Sequence, residues 1–350
     1  MEPRYQQLCQ WLTQETGLPH PELTSVAGDA SFRRYYRLQT EQGARIVMDA
    51  PPPQEDCTPF VTIARQWFHS GIPVPEVLAE DLEQGFLLLE DFGDRQLLPL
   101  LNKGKQVAGP LYRQAIHELL QIQQTDSSTL PQYNTALLMQ ELELFREWFC
   151  SRWLGITLSQ QEHTMLDEVF QLLTREALQQ PAVTVHRDYH SRNLMLQKTS
   201  GSPALGIIDF QDAVKGPITY DLLSLLRDAY IQWPREQEHL WRDEFWQQMN
   251  QNGLCPENYQ QAQFNRDFDL IGAQRHIKVV GIFVRLWLRD QKSGYLPDIP
   301  RTFSHLLSDC QGYDELNTFR LWLENKIQPL MEEKHRQLPE ILSPASGATF

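Results

Sequence analysis

Apolar positions recur along the chain with two different periods, and the switches between them mark its elements. Tyr5, Leu8, Cys9 and Leu12 fall at i, i+3, i+4 and i+7, the stripe of an amphipathic helix, which Gly17, Pro19 and Pro21 bring to an end. Extended segments follow at residues 23–27, 32–38 and 45–49. The first two are separated by the small-residue turn Gly28-Asp29-Ala30-Ser31, and the third is entered through Glu41-Gln42-Gly43. Helical spacing resumes behind Thr58, an N-cap with Pro59 at the first position. It places Phe60, Ile63, Ala64, Trp67 and Phe68 on the buried side. Residues 76–79 then lead to a strand at 85–90, whose unbroken run Phe86-Leu87-Leu88-Leu89 suits a strand covered on both faces.

Past residue 90 the pattern turns helical, at 111–124, at 141–153 through Leu142, Phe145 and Phe149, and at 163–178. A short apolar strand at 183–185 and another ending at Asp209 interrupt it. Helices then start near Tyr220 and run over 266–290, residues 295–300 form a loop, and two further helices close the chain. Strands gather early and helices late, so an α+β fold in two lobes is expected: residues 1–90, a small antiparallel-sheet N-lobe, and residues 91–337, a larger helical C-lobe, with 338–350 a flexible tail. A chain of 350 residues exceeds one ordinary compact domain, which agrees with two lobes.

The chemistry concentrates in residues 183–212. His186-Arg187-Asp188, then Asn193 five residues after the Asp, then an apolar strand ending in Asp209-Phe210, is the layout of a kinase catalytic loop followed by a metal-binding Asp. Phosphoryl transfer needs these types in this order. One carboxylate, Asp188, accepts the proton of the attacking hydroxyl; an amide oxygen, Asn193, and a second carboxylate, Asp209, hold Mg²⁺ on the phosphates of ATP. Two plainer readings compete. His186, Asp188 and His190 alternate and share one face of an extended chain, as ligands of a zinc ion would, or the segment is an ordinary polar turn after a buried strand. Neither explains Asn193 together with the separate Asp209-Phe210.

The stretches HRDYHSRNLML and IIDFQD, with Gln211 where protein kinases carry Gly, resemble the aminoglycoside phosphotransferase and choline kinase group. LLLEDFGD at 87–94, YDLLSLLRDAY at 220–230 and QRHIKVVGIFVRLWLRD at 274–290 bring the resemblance nearer to the anomeric N-acetylmuramate and N-acetylglucosamine kinases of bacterial cell-wall recycling, over about residues 5–330. The resemblance implies a protein-kinase-like fold and ATP with Mg²⁺ as cofactors. It implies an amino sugar phosphorylated at its C1 hydroxyl, with Asp188 against that hydroxyl. It also implies a hinge at which main-chain groups of Leu88, Glu90 and Asp91 meet the adenine, a plain strand end being the other reading of those residues, and Asp221 as a brace of the catalytic loop; the small-residue turn with Gly28 and Ser31, upstream of that loop, reads as a plain hairpin turn or as a cover that offers backbone N–H groups to the ATP phosphates. A helix-terminal carboxylate facing the dipole is the plainer reading of Asp221.

One departure stands out. Kinases place a Lys on the third strand, paired with a helix Glu; here that strand offers Met48 or Asp49, and no Glu lies between Thr58 and Ser70. Losing both members avoids stranding one buried charge. Arg33, Arg34 and Arg45 are the nearest replacements, and Arg33 is assigned to the nucleotide site. In the helix at 266–290, Arg275, Lys278, Arg285 and Arg289 share one narrow sector of an otherwise apolar circumference. Such a stripe needs acidic partners or an anionic ligand, and Arg275, His276 and Lys278 are the residues assigned to a substrate carboxylate.

Charge and cysteine usage narrow the setting. Asp and Glu outnumber Lys and Arg 45 to 31, a net charge of -14, which disfavours nucleic acid and anionic membrane surfaces. Five scattered cysteines without CxxC spacing point away from disulfides and zinc ribbons. With no signal-like start and no run near membrane-span length, a cytoplasmic monomer is expected. The alternatives are a kinase of another small hydroxyl compound, such as an amino alcohol or aminoglycoside, and a nucleotide-binding pseudokinase module.

Overall fold

The structure, a computed structural model, describes residues 3–26, 32–197 and 204–341. Along the chain come α1 (Pro3–Thr16), β1 (Leu23–Val26), β2 (Arg34–Thr40), β3 (Gly43–Asp49), α2 (Thr58–His69), β4 (Val77–Asp81) and β5 (Phe86–Glu90). Helices α3 (Leu98–Leu101), α4 (Lys105–Gln123), α5 (Thr135–Leu144) and α6 (Gln160–Gln179) follow, with a π-helical segment Phe145–Trp153 continuing α5. Four short strands, β6 (Ala182–Val185), β7 (Leu194–Gln197), β8 (Ala204–Ile207) and β9 (Val214–Pro217), precede α7 (Tyr220–Leu226), α8 (Arg235–Gln251), α9 (Gln261–Asp290) and α10 (Ile299–Asp309). A small antiparallel sheet near the N-terminus and a larger helical part give the expected α+β architecture.

Two compact units share the chain. One comprises Met1–Thr125 with Arg192–Ala213, the other Asp126–Ser191 with Val214–Phe350. In the first, five antiparallel strands are ordered β1-β2-β3-β5-β4. Leu8, Trp11 and Leu12 of α1 pack on Leu38, Val47, Phe86 and Leu88 of this sheet. Burying side chains of this size contributes about 1.5–3 kcal/mol each. Because β5 is interior to the sheet, its residues 86–89 are buried without alternation. In the second unit α9 is the axis: Ile277, Val280, Phe283 and Val284 share one core with Phe145, Phe149, Phe170 and Phe303.

Several local expectations change. Thr58 is the first residue of α2 rather than its cap; the N-cap is Cys57, and Asp56 accepts the Thr58 N–H at 2.9 Å. Phe68 lies on the outer side of that helix, 42% exposed, and Val61 is buried instead. Residues 295–300 are not a loop but the end of a 3₁₀ turn, Ser293–Asp298, and the start of α10. Leu338–Ile341 is a short helix with Leu338 buried, and residues 342–350 lie outside the described residues. Ala27 and the turn Gly28-Asp29-Ala30-Ser31 also fall outside them. No helix of the described residues is long and apolar enough to cross a membrane.

Candidate active site

Strand β6 ends in buried Val183, Thr184 and Val185, and the chain leaves it through His186-Arg187-Asp188. Arg187 takes φ = 75°, a conformation that costs a non-glycine residue energy and persists where the surroundings enforce it. The enforcing group is Asp221 in the first turn of α7: its carboxylate accepts the His186 N–H at 2.6 Å and the Arg187 N–H at 3.0 Å. Asp221 therefore braces the loop, as the resemblance implied. Beyond Asp188, the Ser191 N–H and hydroxyl donate to Asp228, the former at 3.0 Å, so the segment is held at both ends.

The Asp188 side chain keeps 44% of its surface accessible, and Arg275 approaches it to 3.8 Å. Burial of its surroundings works against the charge, yet Lys278, His190, Arg275 and Arg187 outweigh it and hold the carboxyl well below the usual carboxylate range. These cations have their own supports. Lys278 donates to Tyr220 at 3.0 Å and pairs with Glu141 Oε1 at 2.9 Å; Arg187 pairs with the same oxygen at 2.5 Å; Arg275 donates to Ser224 at 2.6 Å. Glu141 is buried and stays ionised: desolvation opposes its charge, but Lys278 and Arg187 lower its pKa. Sequence reasoning missed Glu141; its only signal is an acid that falls on the same helical face as the buried Leu138.

The basic stripe of α9 thus divides. Arg275 and Lys278 face Asp188 and Glu141, while Arg289 is exposed on Asp290 at 2.7 Å. His276 does not join them. It is fully buried on another side of the helix, with Nδ1 against Asp309 at 2.5 Å and Nε2 against the Arg227 carbonyl at 3.0 Å, so both nitrogens are committed to the interior.

The second cluster belongs to the other unit. Strands β7 and β8 pair in the register Leu194↔Ile207, and the Ile208 N–H bonds the Asn193 carbonyl at 3.1 Å, so the hairpin brings Asn193 beside Asp209. Asn193 Nδ2 donates to Asp209 at 3.3 Å and Gln211 Nε2 donates to it at 2.8 Å. Asp209 also takes a positive φ, 67°, while buried Phe210 anchors it with ring centroids 4.8 Å from Phe60 and 5.6 Å from Trp67. A carboxylate and an amide oxygen are hard donors suited to Mg²⁺, which keeps several waters and shares phosphate oxygens rather than needing an all-protein cage. The donor set fits that ion. It does not fit zinc: among the described residues no group of three or more His, Cys, Asp and Glu could hold a metal.

The remaining predicted nucleotide residues are also in this unit. Leu88 is buried in β5, the Glu90 N–H is taken by the Glu76 carbonyl at 3.0 Å, and the Asp91 carboxylate pairs with Arg37 at 2.6 Å and accepts the Gly93 N–H at 2.7 Å. Arg33 pairs with Glu55 at 3.5 Å. Gly28 and Ser31 lie outside the described residues.

An antiparallel sheet with a helical part, a braced His-Arg-Asp loop and an Asn–Asp pair on a following hairpin define a kinase-like phosphotransferase. Residues 22–262 match the model of the phosphotransferase enzyme family, and the chain belongs to that family. It is 43% identical over 314 residues to an N-acetylmuramate/N-acetylglucosamine kinase of Pseudomonas putida, an alignment covering 87% of this chain and 91% of that one. Among solved structures it resembles an ethanolamine kinase of Plasmodium vivax, with a TM-score of 0.61 and 13% identity over 88% of this chain and 87% of that one. A thermostable aminoglycoside phosphotransferase in ternary complex with ADP and hygromycin B gives a TM-score of 0.57 and 13% identity over 87% of this chain and 99% of that one.

Proposed function

We propose that this phosphotransferase moves the γ-phosphoryl group of ATP to the C1 hydroxyl of N-acetylmuramate or N-acetylglucosamine, yielding the sugar 1-phosphate in peptidoglycan recycling. The observation that carries the reading is an accessible Asp188 carboxylate ringed by cations, in a chain 43% identical to a relative named for these two sugars. Arg187, Arg275 and Lys278 face Asp188 and Glu141, and Asp221 and Asp228 also act on Arg275.

Asp188 accepts a hydrogen bond from the C1 hydroxyl and takes its proton as the bond to phosphorus forms. A carboxylate of such low basicity mainly orients the nucleophile, which is sufficient for an anomeric hydroxyl, more acidic than an ordinary alcohol, and for a transfer dominated by positioning. Attack at phosphorus leaves the sugar's C1–O bond intact, so the anomer bound is the anomer released. Arg275 and Lys278 are the groups offered to an acidic substituent of the sugar. Asn193 and Asp209 would hold Mg²⁺, which neutralises the phosphates of ATP, and main-chain groups from Leu88 to Asp91 other than the Glu90 N–H, which Glu76 already takes, would meet the adenine. All five cysteines are free thiols, which supports a cytoplasmic setting.

The test is a phosphorus NMR spectrum with Mg-ATP and, separately, N-acetylmuramate, N-acetylglucosamine, choline, homoserine and kanamycin. A new phosphomonoester coupled to an anomeric proton is expected with the sugars. A product with choline, homoserine or kanamycin alone would transfer the assignment to that class, and no product despite ATP binding would make the chain a nucleotide-binding module. Asp188→Asn should lower kcat about 10²- to 10⁴-fold with ATP affinity unchanged; an unchanged kcat would remove Asp188 from the mechanism.

A further inference from the structure

The strand and helix positions that carry the Lys–Glu pair in kinases are occupied otherwise. Met48 is fully buried among apolar neighbours, Asp49 is buried and paired with Arg4 at 2.6 Å, and α2 contains no acid. The other cations of this sheet are engaged or turned outward. Arg37 is tied to Asp91 and Asp94, Arg45 donates to the Ala44 carbonyl at 3.0 Å, Arg65 pairs with Glu80, and Arg34 is exposed.

Arg33 differs in its surroundings. It lies just before β2, its side chain 12% exposed, with Nε 3.5 Å from Glu55. Glu55, just before α2, also accepts the Phe32 N–H at 3.1 Å, so one carboxylate fixes the backbone and the side chain of the same short segment. The guanidinium is close enough to Asp209 and Asp212 for their charges to act on it. Desolvation opposes its charge, but Tyr35, Asp209, Glu55 and Asp212 outweigh that and raise its pKa. A cation within electrostatic reach of the candidate Mg²⁺ carboxylate, held by Glu55, is suited to meet the β- and γ-phosphates of a metal-bound nucleotide.

We propose that the Lys–Glu pair has been moved rather than lost: Arg33 is the cation that binds the ATP phosphates, and Glu55 is the positioning residue that holds it. The assignment rests on the reading of the chain as an ATP-dependent kinase. Moving the pair from the interior of a strand and helix to the segments leading into β2 and α2 keeps one cation and one carboxylate together, so neither is left buried alone. A guanidinium also presents several N–H edges and can serve a carboxylate and a phosphate at once.

The test is calorimetric titration of the full chain and its Arg33→Ala, Arg33→Lys and Glu55→Gln variants with Mg-ATP and with adenosine. Arg33→Ala should weaken Mg-ATP about 10- to 100-fold, the loss expected for a charged hydrogen bond, with adenosine affinity within about twofold. Arg33→Lys should recover part of the loss, and Glu55→Gln should weaken Mg-ATP while sparing adenosine. Undiminished Mg-ATP binding by Arg33→Ala, or equal losses for ATP and adenosine, would overturn the assignment alone. No Mg-ATP binding by the unaltered protein would overturn it together with the kinase reading.

Discussion

Asp221 makes the catalytic loop sensitive to pH. Burial pushes its carboxyl up to about 7 against the two N–H donors that favour the anion, whereas Asp188 stays ionised throughout the neutral range. Protonating Asp221 takes away acceptor capacity from His186 and Arg187, so kcat should fall on acidification through about pH 7, and Asp221→Asn should flatten that limb of the pH–rate profile. For stability the sign is opposite. The fold favours the protonated form, so the contribution of this group is complete below the ordinary Asp pKa of about 4 and is lost as pH rises through about 7. Glu141 presents the other buried charge at this scale: Glu141→Gln leaves Lys278 and Arg187 without their shared counter-ion and should cost about 3–5 kcal/mol in denaturant unfolding. Asp188, Asn193 and Asp209 were singled out as candidates in the sequence because phosphoryl transfer demands particular side chains at particular spacings. Glu141 and Glu55 were not, since a carboxylate that serves a distant cation leaves no local spacing to recognise.

At the scale of elements, α9 shows what a helical pattern conveys and what it leaves open. Its apolar circumference announced burial, and its basic sector announced a need for acids; which cation met which acid depended on distant segments, Lys278 meeting Glu141 137 residues earlier and Arg275 meeting Asp188 87 residues earlier. Close approach decides Gly281, where an added Cβ would stand 2.5 Å from the Leu144 carbonyl carbon and 2.7 Å from the Phe145 nitrogen. These are backbone atoms at the junction where α5 widens into the π-helical segment. Gly281→Ala should therefore force the helices apart and cost about 1–3 kcal/mol, measured as a lower denaturant midpoint with an unchanged m-value. The π-helical segment itself was invisible in the sequence, because its residues 145, 149 and 153 keep ordinary helical spacing.

For the whole molecule, acid is the condition under which carboxylates paired in the fold lose the charge that stabilises it. Glu162, at the start of α6, is lowered to about 2: desolvation opposes the charge, but Lys326 at 2.5 Å, the Ser159 N–H at 2.9 Å and Trp322 at 2.6 Å outweigh it. Its contribution to stability is present above the ordinary Glu pKa of about 4.3 and is lost as pH falls toward 2. Glu162→Gln should reduce the slope of unfolding stability against pH over that window, read from urea midpoints between pH 5 and 2. The division into a sheet-bearing and a helical part was legible from the switch in apolar period; the return of Arg192–Ala213 to the first unit was not, because two four-residue strands carry almost no periodicity.

That return has a consequence for the order in which the protein is made. The first 125 residues leave the ribosome without the hairpin that completes their unit: the Leu97 N–H awaits the Leu194 carbonyl at 2.8 Å, the Pro73 carbonyl awaits the Ile207 N–H at 2.8 Å, and Phe60 and Trp67 await Phe210. At ordinary rates of synthesis this interval lasts roughly 5–20 s. Through that interval the rings of Phe60 and Trp67 on α2 lack the Phe210 ring that covers them in the finished unit.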